Sequence, residues 1–139
     1  MKNIILCDID GTVANNDHRQ HFLEGKKDWD GFFDKLDEDE PIRPIINKVI
    51  ENNKSGKKIV FLTGRPERYR DKTETWLKKY FPFNIKILMR SNNDQRNKLI
   101  IKKEILDANF KVDDIALVID NDEELIRMWA RIGLPTFKV

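Results

Sequence analysis

Two aspartates stand two residues apart in Asp8-Ile9-Asp10-Gly11-Thr12, directly after the apolar run Ile4-Ile5-Leu6-Cys7. Side chains at i and i+2 of an extended chain point to the same side, so both carboxylates face one mouth. Such a pair can hold a hard cation of the Mg²⁺ type, with one member as nucleophile and the other moving protons. Gly11 allows a sharp turn without a Cβ penalty. An isolated DxDGT also suits a surface Asx turn, but its place straight after a buried strand favours the chemical reading.

Two further apolar runs end in polar residues. Thr63-Gly64-Arg65-Pro66 closes one of them with a hydroxyl, an approachable backbone N–H and a guanidinium, a reasonable set for phosphate. Asp120-Asn121-Asp122 closes another with a further carboxylate. Any one of the three motifs alone is weak; together they imply a single site.

The elements that must position them alternate. Runs at 3–8, 58–63, 85–89 and 115–119 read as buried parallel strands, and 134–138 as a last, weaker one. Helical patterns fit 29–36, 43–53, 67–80, 97–109 and 122–132, the second ending before Ser55-Gly56. This alternation predicts an α/β fold, a Rossmann-like three-layer α/β/α sandwich on a mainly parallel five-stranded sheet. In such sheets ligands bind at the carboxyl ends of the strands, where all three motifs lie. Residues 13–40 are too few for a separate cap and predict a minimal lid at most.

The 139 residues predict one domain over 1–139. The net charge of +2 conceals an asymmetry. Lys and Arg against Asp and Glu number 7 and 12 over residues 1–53 (−5), 15 and 4 over 54–103 (+11), and 4 and 8 over 104–139 (−4). A basic middle between acidic flanks suits an anionic substrate approaching metal-binding carboxylates, although a solvated lysine-rich surface accounts for it equally well. No apolar run reaches the roughly 18 residues of a membrane span, and the start lacks a signal-peptide layout. One cysteine permits no internal disulfide, so a reducing cytoplasm is expected.

DIDGT, FLTGR, a lysine on a later helix and IDND resemble the four motifs of the haloacid dehalogenase superfamily of phosphohydrolases. From Asp8 onward the chain is similar to the 3′-phosphatase domain of phage polynucleotide kinase, through DIDGT, Arg19, LTGRPE, Arg90, the 98–105 helix and IRMWARIG. The resemblance implies a Mg²⁺-dependent phosphatase with Asp8 as nucleophile and Asp10 as general acid/base. Asp8 and Asp120 would hold Mg²⁺ by side chain and Asp10 by its backbone carbonyl. Thr63 and the Gly64 N–H would hold phosphoryl oxygens, and Arg19, Arg65 and Arg90 would lie near substrate. The third-motif lysine is Lys98, Lys102 or Lys103; the family's two apolar residues before it favour Lys102, with Lys98 one turn earlier as fallback. Asp10 must shuttle a proton, and a neighbouring carboxylate is expected to raise its pKa. The sequence departs from many relatives at Asn121-Asp122, where they carry a second acid and then a basic residue, so these two are expected to reach a metal only through water.

The implied substrate is a nucleotide phosphate, foremost a 3′-phosphate at a polynucleotide end; free nucleoside 5′-monophosphates and a non-catalytic phosphate-binding module are the alternatives. These residues contain no GxxxxGK[ST] loop, so no P-loop ATP site is expected. Cys7 has no arginine six residues on, as a cysteine phosphatase needs, and reads as core. His18 and His21 lack the partners of a zinc site. Trp29, Phe32 and Phe33 could stack a nucleobase, but their i, i+3, i+4 spacing favours core, as does the position of Trp129.

Overall fold

The apolar runs become strands because the sheet is covered on both faces. The structure, a computed structural model, describes residues 2–139. Its elements are β1 (Ile4–Cys7), β2 (Ala14–Asn15), α1 (Trp29–Asp34), β3 (Glu40–Pro41), α2 (Arg43–Lys54), β4 (Lys58–Pro66), α3 (Arg70–Tyr80), β5 (Ile87–Arg90), α4 (Lys98–Asn109), β6 (Ile115–Asp120), α5 (Glu123–Arg131) and β7 (Thr136–Lys138). Five strands form one sheet in the order β5-β4-β1-β6-β7, and every pairing in it is parallel.

Strand alternation divides the core into two layers. Ile5, Cys7, Ile59 and Phe61 pack with Ile46 and Val49 of α2 and Trp76 and Leu77 of α3. Leu6, Val60, Leu62 and Val118 pack on the other face with Leu106 of α4 and Leu125 and Trp129 of α5. This is the expected α/β/α sandwich, with Cys7 and Trp129 in the core. Because β1, β4 and β6 run in parallel, DxDGT, TGR and DND arrive at one edge.

The boundaries shift for physical reasons. The 67–80 helix opens as a 3₁₀ turn, Glu67–Tyr69, before α3. Pro66 ends β4 in an extended conformation (φ −66°, ψ 150°), and Arg70 grips Glu67 with two hydrogen bonds of 2.8 Å that fix the turn. The strand expected over 85–89 pairs only from Ile87, where β4 supplies a partner. The segment between β1 and α2 is a small helical insertion clipped at its base by the antiparallel pair Ala14↔Pro41 and Asn15↔Glu40. Phe32, Phe33 and Leu36 give it a core of its own. Trp29 departs from expectation: at the first position of α1 it stays 48% exposed, outside that core.

Candidate active site

Asp8 lies one residue beyond β1, its backbone N–H still donating to Ile119 O at 2.9 Å. The chain then turns tightly, with the N–H groups of Thr12, Val13 and Ala14 all donating to Ile9 O. Gly11 has φ +77°, and a Cβ there would sit 2.3 Å from the Asn121 side chain. Both the turn and the close approach of β6 therefore require glycine.

The turn leaves the Asp8 carboxylate gripped on both oxygens. Lys102 Nζ donates to Oδ1 at 2.7 Å, and Thr12 Oγ1 donates to Oδ2 at 2.9 Å. With its amide oriented to satisfy its neighbours, Asn121 Nδ2 donates to Asp8 Oδ2 at 3.0 Å and to the Asp10 carbonyl at 3.1 Å. Lys102 also reaches Asp120 Oδ2 at 3.4 Å. Asp8, Lys102 and Asp120 are all buried. Burial and then the Asp120 charge push the Asp8 carboxyl well above the ordinary carboxylate range, against the pull of Lys102. Burial alone would lower the Lys102 pKa, but Asp8 and Asp120 outweigh it and raise it. Of the three candidate lysines, Lys102 is the one at Asp8. Lys98 instead pairs with Asp122, and Lys103 with Asp107 on the surface.

Asp10 occupies a different setting. Arg65 Nε and Nη2 donate to its two oxygens at 3.1 and 2.8 Å, and Arg19 Nη2 donates to Oδ1 at 2.5 Å. Behind them Asp39 accepts from Arg19 Nε (2.8 Å) and Nη2 (2.7 Å) and from Arg65 Nη2 (3.4 Å). His18 Nε2 lies 2.6 Å from Asp39, and Trp76 Nε1 donates to its carbonyl at 2.9 Å. Burial pushes the Asp10 pKa up, but Arg65 and Arg19 outweigh it and bring it to about 2. The expectation of a raised Asp10 pKa is thus corrected: two guanidiniums overcome the effect of burial.

The arginines separate accordingly. Arg19 and Arg65 are buried, with their guanidiniums on Asp10 and Asp39. Arg90 keeps an open position. Its Nε donates to Gly64 O at 2.9 Å and its Nη1 to the Asp94 and Arg96 carbonyls, while Nη2 lies 3.6 Å from where a Gly64 Cβ would be. Thr63 is buried at the same edge and its Oγ1 accepts from Arg65 N at 3.1 Å.

Asp39 escaped the sequence reading. It sits in the acidic run Asp37-Glu38-Asp39-Glu40, and nothing in the sequence sets it apart from its exposed neighbours. Thr12 and the inward position of Asn121 were also missed as direct partners of Asp8. Thr12 lies inside the DxDGT motif, so its i+4 spacing from Asp8 was the available signal.

The donor set fits Mg²⁺. Asp8 and Asp120 offer hard oxygens, and their formal −2 charge is met by one ammonium. Among the described residues no three His, Cys, Asp or Glu side chains converge as a closed cage. Two carboxylates and a carbonyl leave room for water and phosphate oxygens, the usual Mg²⁺ arrangement.

Known proteins resemble the chain in sequence and in fold. The family model of the polynucleotide kinase (PNKP) phosphatase domain matches residues 2–139. A putative bifunctional polynucleotide kinase/RNA ligase of Autographa californica nuclear polyhedrosis virus is 28% identical over 136 residues, covering 95% of this chain but only 18% of its own length. Two solved Pnkp1/Rnl/Hen1 complexes, one described as an RNA repair complex, hold chains 29% and 31% identical with TM-scores of 0.80 and 0.79. They cover 99% and 98% of this chain, which spans 46% and 42% of theirs. The class C acid phosphatase of Bacillus anthracis shares the fold, with a TM-score of 0.65 at 24% identity over 87% of this chain and 53% of its own. Matched along nearly its whole length, the chain belongs to the PNKP phosphatase-domain family of the haloacid dehalogenase superfamily and is a phosphatase.

Proposed function

We propose that residues 1–139 act as one phosphatase domain that removes a 3′-phosphate from a polynucleotide end through an aspartyl-phosphate on Asp8, with Mg²⁺ held by Asp8, Asp120 and the Asp10 carbonyl. The observation that carries this reading is the Asp8 carboxylate, fixed on both oxygens by Lys102 and Thr12 just beyond the end of β1. Bound there, Mg²⁺ would neutralise charge on the phosphate and screen its repulsion of the nucleophile.

The chain's own residues do the rest. Thr63 and the Gly64 N–H receive the phosphoryl oxygens, and Arg90 and Lys102 balance their charge. An Asp8 oxygen forms a bond to phosphorus as the bond to the 3′-oxygen breaks, and that oxygen takes a proton from Asp10. Water then attacks the same phosphorus, gives its proton to Asp10 and restores the Asp8 carboxylate. At rest Arg19 and Arg65 hold Asp10 ionised, ready for the second step. The first step needs Asp10 protonated: the arriving phosphate dianion shifts its pKa upward, and the proton comes from solvent.

Rates on a 3′-phosphorylated oligonucleotide against nucleoside 5′-monophosphates test the substrate. The account expects the oligonucleotide to have the higher kcat/KM, and a preference for mononucleotides would replace it with the nucleotidase reading.

A further inference from the structure

The insertion places an exposed aromatic ring beside the proposed phosphate cradle. A cavity of about 650 Å³ opens there, with Gly64 and Arg90 in its wall and Trp29 and Phe33 of α1 lining it as well. This volume suits a ligand of nucleotide size. Five cationic side chains line it against two acidic ones, so its balance is +3 (5 − 2). Three of the cations are paired with carboxylates, Arg68 with Asp30 at 3.1 Å, Arg96 with Asp94 and Glu104 at 2.8 Å each, and Lys98 with Asp122.

Trp29 is the feature that ordinary packing does not use. Phe32 and Phe33, on the same short helix, are buried, whereas Trp29 is 48% exposed. Its ring is nonetheless held in place: Phe33 lies nearly parallel to it (23°) at 5.9 Å and Phe32 meets it edge-on at 5.9 Å. Lys27 Nζ lies over the ring, 5.7 Å from its centroid, on a flexible stem that a stacking base would have to displace towards a phosphate. An indole presented rigidly in a positive cavity has the two parts of a single-strand nucleic-acid subsite, a stacking face and cations to follow the backbone.

We propose that Trp29 is a stacking platform for a nucleobase at the 3′ end of a single-stranded polynucleotide, with Lys27, Arg68 and Arg96 along the path of its backbone. This rests on the proposed 3′-phosphatase reading and adds to it the part of the protein that recognises the nucleotide rather than its phosphate. Asn92, Gln95 and Asn97 also line the cavity and offer amides to sugar or base edges.

The test compares a 3′-phosphorylated oligonucleotide with the same molecule lacking its terminal bases, for the wild type, Trp29→Ala and Trp29→Phe. Stacking predicts that the wild type prefers the base-bearing substrate by about 5- to 150-fold in kcat/KM, mainly through KM. In Trp29→Ala this preference should fall towards one, and Trp29→Phe should keep part of it. A preference unchanged in Trp29→Ala, or absent from the wild type, overturns the platform. A titration with an unreactive 3′-hydroxyl oligonucleotide separates this from failure of the phosphatase reading. Trp76 and Trp129 are buried, so tryptophan fluorescence should be quenched in the wild type and not in Trp29→Phe. Should the wild type hydrolyse neither substrate, the 3′-phosphatase reading falls and the titration alone decides the platform, with absence of quenching overturning it.

Discussion

Asp8 and Asp10 are two residues apart, yet they lie in opposite electrostatic settings. Around Asp8 two carboxylates meet one ammonium, a formal balance of −1 (1 − 2), and the Asp8 pKa is driven up by burial and by Asp120. Around Asp10 two carboxylates meet two guanidiniums, a balance of zero (2 − 2), and the Asp10 pKa is brought down to about 2. The first cluster is built from strand ends and α4 and is left short of positive charge, as a divalent-cation site should be. The second is closed on itself and ties the insertion to the sheet. Two carboxylates can thus be set apart by their partners while sharing one turn of chain.

The largest effect expected from breaking this contrast is at Asp8. Asp8→Asn keeps the shape but cannot attack phosphorus, and should lower kcat by at least about 10³-fold with the fold intact. Steady-state rates of undeamidated protein check this; turnover within about tenfold of wild type would remove the role.

Arg65→Ala strikes the balanced cluster, leaving partly buried Asp10 and buried Asp39 with less countercharge. It should cost about 3–5 kcal/mol of stability by denaturant unfolding. Asp10's depressed pKa contributes stability that is present above the ordinary carboxylate pKa and lost as pH falls through about 2. The gap between wild type and variant should therefore narrow in strong acid. A gap of equal size at every pH would show that the lost interaction is packing rather than charge.

Mg²⁺ sharpens the other side. At about a hundredfold excess over its Kd it should stabilise the folded protein by about 2.7 kcal/mol, raising Tm in the wild type and far less in Asp120→Asn. Equal shifts in both proteins would place the ion elsewhere.

The smallest effect is at Asp39, which touches Asp10 only through the two arginines. Asp39→Asn should lose charge-assisted hydrogen bonds worth about 1.5–3 kcal/mol. If Asp39 positions Asp10, the pH profile of kcat should also move, and a loss of stability with an unchanged profile would leave it a purely structural residue.

What was legible in the sequence follows from locality. Buried parallel strands are continuous apolar runs, so the sheet and the convergence of DxDGT, TGR and DND at one edge were readable. Lys102 was readable only through the resemblance, whose pattern sets two apolar residues, here Ile100-Ile101, before the lysine. The Asp10 cluster was not, because its partners come from residues 19, 39 and 65, and the pairing depends on how a short insertion of broken helical turns folds back. Periodicity also put Trp29 in the core with Phe32 and Phe33, since spacing identifies a shared face but not where that face ends. At the first position of α1 the ring overhangs the cavity instead.

The central claim is that the phosphate passes through Asp8, and the most direct test is to trap it there. The wild-type protein with Mg²⁺ would turn over an oligonucleotide carrying a radiolabelled 3′-phosphate, be quenched in acid during the reaction, and be mapped by peptide. The account predicts label on the peptide that contains Asp8, disappearing into inorganic phosphate when turnover is allowed to finish. Full-rate release of phosphate with no label on the protein at any time would contradict it.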